Sequence, residues 1–256
     1  MKTLYKFFSI FCLIALLALA FATPAKAFDG RSGENVEIKT GEVIVDDVYV
    51  TASTFVLDGT VKGDLIVFAQ TITINGTVEG DLIAAGQSVI INGTVTEAAR
   101  IAGAELKIGK TATIGGDVVA GGASLEAQDG SAIKGELVVG AGQTLLEGNI
   151  AGDVLAGTGS LELNGEFGGN VNAQVGDPQD GGMPPSIYMP QSNIQFPTVK
   201  PGFNIDEGAK IKGNLEYTQT KDVKIPTDAV GGKVTRTLPV VDPQKVQPTP
   251  TQKAMT

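Results

Sequence analysis

The residues of this chain best placed to do chemistry are acids set at a regular interval. Asp64 sits in Gly63-Asp64-Leu65, and the triplet returns as Gly80-Asp81-Leu82. It returns again as Gly116-Asp117-Val118, Gly135-Glu136-Leu137 and Gly152-Asp153-Val154. Asp64 and Asp81 are 17 residues apart, Asp117 and Glu136 are 19, and Glu136 and Asp153 are 17. Stacking of equal positions would set Asp64, Asp81, Asp117, Glu136 and Asp153 in one column at ~4.8 Å steps. A carboxylate column of that kind is a candidate site for divalent cations, which take oxygen ligands. The competing role is internal, with each acid accepting backbone N–H bonds in its own corner turn. The internal role is preferred. The calcium-binding nonapeptide of β-rolls is absent, and Ala98 and Asn170 interrupt the column.

Other reaction chemistry finds little material. The chain has no histidine, so neither a Ser-His-Asp triad nor a histidine metal site can form. Its one cysteine, Cys12, lies in an N-terminal apolar run. Asn75-Gly76-Thr77 and Asn92-Gly93-Thr94 match a glycosylation pattern but read more simply as corner turns. A polysaccharide-cleaving β-helix would need clustered acids beside exposed Arg or Lys. The repeat region offers Arg100, read here as a solvated side chain. Neither catalytic residues nor a cofactor are expected.

The elements that position the acids follow from a second landmark. Asp58-Gly59-Thr60-Val61 returns as Asn75-Gly76-Thr77-Val78, Asn92-Gly93-Thr94-Val95, Glu147-Gly148-Asn149-Ile150 and Asn164-Gly165-Glu166-Phe167. From the second copy on, each glycine follows the acid of its own repeat by 12 residues. Between the landmarks, apolar residues stand two apart, as in Leu65 and Val67, or Ile72 and Ile74. That period means strands with one face inward. A repeat of 17–19 residues is too short for a βαβ unit of roughly thirty. Three short strands and their turns therefore close one triangular coil, and coils stack into a parallel β-helix, an all-β single-stranded solenoid. Roughly ten coils make a rod ~45–50 Å long. The glycine at the twelfth place is expected at a corner with positive φ.

The expected organisation has six parts. Residues 1–27 are a secretory signal peptide: Lys2 and Lys6, an apolar run from Phe7 to Ala22, then Ala25-Lys26-Ala27 as the cleavage site. An uncleaved anchor is the other reading of that segment. Residues 28–42 are a lead-in, and 43–175 hold the β-helix repeats. Residues 176–201 form a proline-rich excursion, because proline cannot donate to a ladder. That excursion also carries Met183, Ile187, Tyr188, Met189, Ile194 and Phe196. It is expected to cover a solenoid face or an end or, alternatively, to act as a partner-binding strap. The final coils occupy 202–235, and 236–256 is a Pro-, Thr- and Gln-rich tail. Removing residues 1–27 takes away three lysines and leaves 16 basic residues against 28 acidic ones, a charge of −12. Such a balance excludes nucleic acid as an expected partner, since phosphate neutralisation needs a basic patch.

The two landmarks, stacked 17 residues apart over roughly 43–235, resemble those of bactofilins, bacterial polymer-forming cytoskeletal proteins. The resemblance implies a right-handed β-helix that polymerises end to end without nucleotide and acts as a scaffold for membrane or cell-wall machinery. Gly213-Asn214-Leu215-Glu216-Tyr217-Thr218 with Ile225-Pro226 resembles the end of the β-helix in exported, membrane-linked relatives. The chain departs from ordinary bactofilins, which are cytoplasmic, in its signal peptide. The run from Ile108 to Val119 also resembles two left-handed hexapeptide repeats, whose acyltransferases commonly use a histidine that is absent here. The leading expectation is a non-enzymatic scaffold outside the cytoplasm. It would self-associate through exposed strand edges at its ends and organise envelope or membrane proteins or glycans. A monomeric surface adhesin or polysaccharide-binding solenoid is the alternative, and a carbohydrate-active enzyme the third.

Overall fold

In the computed structural model, residues 28–176, 194 and 196–239 are described. The signal peptide, most of the excursion and most of the tail lie outside them. The chain is an all-β parallel solenoid of about 11 turns, with no helix among the described residues.

Each interior coil holds one ten-residue strand and one two-residue strand. Leu65–Ile74 with Thr77–Val78 is one coil, and Leu82–Ile91 with Thr94–Val95 is the next. Pairing is parallel and in register, so Leu65 meets Leu82, which meets Ala99. The long strands build a 12-stranded sheet and the short ones a 9-stranded sheet.

The expected three faces are present, but two of them share one strand. Inward residues stand at places one, three and five of the long strand, then at eight and ten. Leu65, Val67, Ala69, Ile72 and Ile74 are one such set, all buried. Alternation puts successive side chains on opposite faces, so the step of three from Ala69 to Ile72 marks a bend. Val, Ile and Leu fill the resulting prism as one continuous apolar core. A single coil could not bury these side chains; its neighbours complete the burial.

The 19-residue coils add their two extra residues at one corner. Asn75-Gly76 joins the long and short strands of a 17-residue coil, whereas residues 109–112 and 128–131 do so in the longer ones. Of these four-residue turns, those at 39–42 and 128–131 carry positive φ, at Gly41 and Gly130.

The repeat glycine at the twelfth place is not a positive-φ residue, contrary to expectation; Gly76, Gly93, Gly148 and Gly165 all lie outside that region. A steric need explains them. A Cβ on Gly76 or Gly93 would sit 2.0 Å from the carbonyl oxygen of Gly59 or Gly76 in the preceding coil. At Gly165 the distance to the Gly148 oxygen would be 2.1 Å. Coils stacked at ladder spacing leave no room for a side chain at that corner.

Two boundaries shift from the sequence reading. The first coil starts with the strand Asp29–Ile38, inside the expected lead-in, and pairs with Val48–Leu57. The excursion is inserted within a coil rather than between coils. Val171–Val175 pairs with the first half of Val154–Leu163, and Gly202–Ile205 with its second half.

Gly93→Ala is therefore expected to destabilise the solenoid by about 1–3 kcal/mol, the usual cost of overpacking. Chemical denaturation followed by circular dichroism measures it, and an unchanged midpoint contradicts the steric account.

Candidate functional site

The five acids expected to stack do stand in one column. Each directly precedes the first residue of a long strand, and those first residues pair in register from Val48 to Val171. Asp47 extends the column at the start, and Ala98 and Asn170 occupy it as expected.

What the acids do differs in detail from a corner turn closed on itself. Asp47 Oδ1 accepts the backbone N–H of Asp64 at 2.9 Å, and Asp64 Oδ1 accepts that of Asp81 at 2.8 Å. Asp81 Oδ1 accepts from Ala98 at 3.0 Å, Asp117 Oδ1 from Glu136 at 2.8 Å, and Asp153 Oδ1 from Asn170 at 2.7 Å. Each side chain thus reaches across to the equivalent residue of the next coil. Asn170 and Asn214 continue the pattern onto Asn214 and Lys233. A neutral amide can take the same place, because the bond needs only an acceptor oxygen. The preceding glycine belongs to the same device. A Cβ on Gly80 would lie 2.3 Å from Asp64 Oδ1, and one on Gly135 2.3 Å from Asp117 Oδ1. The Gly-Asp dipeptide couples an acceptor to the vacancy that admits the previous coil's acceptor.

Two members fall out of the chain of bonds. Ala98 has no acceptor to offer Asp117, and Glu136 makes no such bond to Asp153. Among the described residues no cluster of three acids, cysteines or histidines has the geometry to hold a metal ion.

Arg100, read as a solvated side chain, is exposed and pairs with Asp81 Oδ2 at 2.9 Å. The N–H of Ala98, and then Arg100, hold the Asp81 carboxyl below its ordinary value. A second ladder runs along the Asn-Gly corner: Asn75 Nδ2 donates to Asp58 Oδ1 at 2.8 Å, and Asn92 Nδ2 to Asn75 Oδ1 at 2.9 Å. The glycosylation-like triplets are thus occupied structurally, as corner turns.

Sequence reasoning missed the ends. Asp29 and Arg31 stand at inward places, level with Val48 and Val50. Arg31 pairs with Asp29 at 3.2 Å and with Glu42 at 2.8 Å. Asp29 foremost raises the Arg31 guanidinium, and Arg31 lowers the Glu42 carboxyl. At the other end Arg236 stands level with inward Tyr217. It donates to the carbonyls of Gln219 and Thr220 and pairs with Asp222. An arginine at place three therefore plugs the first and the last coil of the described residues. The signal was present in the sequence as charges at places where the repeat demands aliphatics.

The returning limb of the excursion lies on the second half of the long-strand face. Gln143 Nε2 donates to the Pro197 carbonyl at 2.7 Å, and Lys200 binds Glu162 through both its N–H and Nζ. Of the apolar residues expected in this segment, Ile194 and Phe196 are described and partly buried. Met183, Ile187, Tyr188 and Met189 lie outside the described residues. Close by, burial and then Glu126 push the Glu147 carboxyl up.

The first half of the long-strand face is left open. Its outward second place forms a column through Tyr49, Ile83, Val119, Val138 and Leu155, all exposed. Its outward fourth place holds Gly121, Gly140 and Gly157. A Cβ on any of these three meets nothing within 4 Å, and none has positive φ. Glycine inside a strand costs about 0.5–1 kcal/mol against alanine, and here the stack does not demand it.

Compared with known proteins, the chain matches no family model, and neither a curated protein nor a solved structure is significantly similar to it.

Asp64→Asn is expected to leave the melting temperature unchanged, whereas Asp64→Ala lowers it by removing the acceptor of the Asp81 N–H. Equal melting of both variants would deny the ladder its role. Asp81 adds a pH dependence. Because its folded value is depressed, its contribution is complete above the ordinary 3.8 and lost as pH falls through the lowered value. Asp81→Asn should flatten the acid limb of a melting-temperature profile between neutral pH and about pH 2; an unaltered limb contradicts the assignment.

Proposed function

We propose that this protein is a non-enzymatic structural scaffold of bactofilin type, working outside the cytoplasm as a stiff rod that organises cell-envelope components. One observation carries the reading. Five of the six acids in the column join coil to coil. Asp47, Asp64, Asp81, Asp117 and Asp153 each hold the next coil's backbone. A molecule built this way invests its side chains in length and straightness. At ~4.8 Å per coil, about 11 turns make a rod about 50 Å long. The export reading rests on residues 1–27 as a signal peptide, and the bactofilin likeness on the paired landmarks.

Self-association is part of the proposal, and the ends govern its form. End-on contact between terminal coils would bury Arg31 or Arg236, and desolvating an ion costs several kcal/mol even when it is paired. End-on polymerisation therefore requires these plugs to swing out first.

A glycan-binding solenoid is the second reading. The edge-on pair of Phe28 and Tyr49, with ring centroids 5.0 Å apart, and the exposed ring of Phe68 favour it, since aromatic surfaces are suited to sugar faces. Negative-stain electron microscopy and a glycan array on the same preparation separate the two. The scaffold reading expects assemblies larger than one rod and no glycan retention. Isolated rods that bind a defined glycan would overturn it. Millimolar calcium is expected to leave both assembly and melting temperature unchanged; a rise in melting temperature would restore the acidic column as a cation site.

A further inference from the structure

The corner that begins at Asp58 carries a column of its own. One residue per coil stands there, and its backbone N–H donates to the last long-strand carbonyl of the preceding coil. Asn75 donates to Leu57, Asn92 to Ile74, Glu147 to Ala127, Asn164 to Leu146 and Asp206 to Leu163. Three members of the column are asparagines followed by glycine: Asn75-Gly76, Asn92-Gly93 and Asn164-Gly165. Asparagine is a thermolabile residue, because the backbone nitrogen of the next residue can attack its side-chain amide. A following glycine makes the attack easiest, since no Cβ obstructs it. We propose that Asn164 is the preferred site of spontaneous deamidation among the three, and that the structure holds Asn75 and Asn92 against the same reaction.

The reaction needs only water as co-reactant. The Gly165 nitrogen bonds to Cγ of Asn164 and the Cγ–Nδ2 bond breaks. Nδ2 departs as ammonia, and the proton that the glycine N–H gives up is the one ammonia gains. Water then opens the five-membered imide at one carbonyl or the other. The products are aspartate and isoaspartate, in which the main chain runs through the former side chain.

Two observations separate the three sites. The first concerns the attacking nitrogen, which must shed its proton. Gly76 N–H donates to the Leu57 carbonyl at 2.8 Å, and Gly93 N–H to the Ile74 carbonyl at 2.9 Å. Gly165 N–H has no acceptor among the described residues. A nitrogen that must first break a hydrogen bond is the slower nucleophile. The second concerns the amide under attack, which must swing over that nitrogen. Asn75 is fixed on both sides, donating to Asp58 at 2.8 Å and accepting from Asn92 Nδ2 at 2.9 Å. Above Asn164 the column holds Asp206, which as a carboxylate only accepts, so Asn164 Oδ1 finds no donor there. It lies against Gly208 instead, 2.6 Å from where a Cβ would stand. Asn92, with Gly109 above it, is protected by the first device alone. The Nδ2 side does not discriminate: Asn164 donates to Glu147 as Asn75 does to Asp58 and Asn92 to Asn75.

The position of Asn164 gives the conversion its effect. Its column neighbours are Glu147 below and Asp206 above. A new carboxylate between them sets three acids in a row, and like charges on neighbouring strands repel. Isoaspartate also adds a carbon to the main chain at a corner without room, where a Cβ on Gly165 would already stand 2.1 Å from the Gly148 oxygen. The strand that runs into this corner, Val154–Leu163, seats both halves of the interrupted coil. Deamidation at Asn164 therefore loosens the coils from Val171 onward and leaves the ladder before them intact.

This modification site is independent of the scaffold reading. The test is peptide mapping by mass spectrometry on the purified full chain, sampled over weeks in mildly alkaline buffer. Electron-transfer fragmentation tells isoaspartate from aspartate. In the folded chain Asn164 is expected to convert at least about fivefold faster than Asn75 or Asn92, the factor that one net hydrogen bond is worth. In guanidinium, where the ladder is gone, the three asparagines are expected to convert at similar rates. Conversion of Asn75 or Asn92 as fast as Asn164 in the folded chain overturns the proposal. So does an intact Asn164 over a time in which the denatured chain reacts, or the same preference for Asn164 in the denatured chain.

Discussion

At the two-residue corner that joins the long and short strands of a 17-residue coil, a carbonyl oxygen lies where the next coil's Cβ would have to be. For Gly76 and Gly93 the separation would be 2.0 Å, far inside any tolerable contact. This follows from the ladder itself. Parallel strands approach to ~4.8 Å, and a chain that turns sharply at that spacing must do so without side chains. The rest of the molecule accommodates this constraint. Glycine stands at the corners, acceptor side chains replace missing backbone partners beside them, and aliphatics fill the interior between.

The landmark acids are therefore best understood as part of the backbone. In a parallel ladder each N–H looks for a carbonyl on the neighbouring strand. Where the corner turns the backbone away, Asp Oδ1 supplies that acceptor instead. Asparagine does the same at positions 170 and 214, so the bond can be made without a charge. The column of acids thus looks like a metal site in the sequence, while Asp64, Asp81, Asp117 and Asp153 act as stacking pins in the structure.

The repeat was legible because its period is strict. The 17- and 19-residue intervals located the inward residues and the column of acids, Ala98 and Asn170 included, but gave three short strands per coil where the structure runs two faces through one ten-residue strand. Less was legible where a residue's partner lies in another coil. Nothing local distinguishes an aspartate that closes its own turn from one that reaches forward 17 residues, and nothing local separates a φ requirement from a contact requirement at Gly76. The first coil was hidden for another reason. Asp29 and Arg31 break the aliphatic pattern in the first coil of the described residues, so the pattern is read only from Val43. The excursion's place inside a coil was equally hidden, since Val175 and Gly202 are strand neighbours in space separated by a long insertion.

The central claim is that acceptor side chains hold each coil to the next, and hydrogen exchange at single amides tests it most directly. The amides of Asp64, Asp81, Glu136 and Asn170 each donate to the acid of the preceding coil. Those of Asp117 and Asp153 have no such partner among the described residues, because the preceding coil presents Ala98 and Glu136. The account predicts slow exchange for the first four, comparable with the adjoining strands, and fast exchange at Asp117 and Asp153. Equal, rapid exchange at all six would mean that the acids merely face water and that stacking rests on the backbone and core alone.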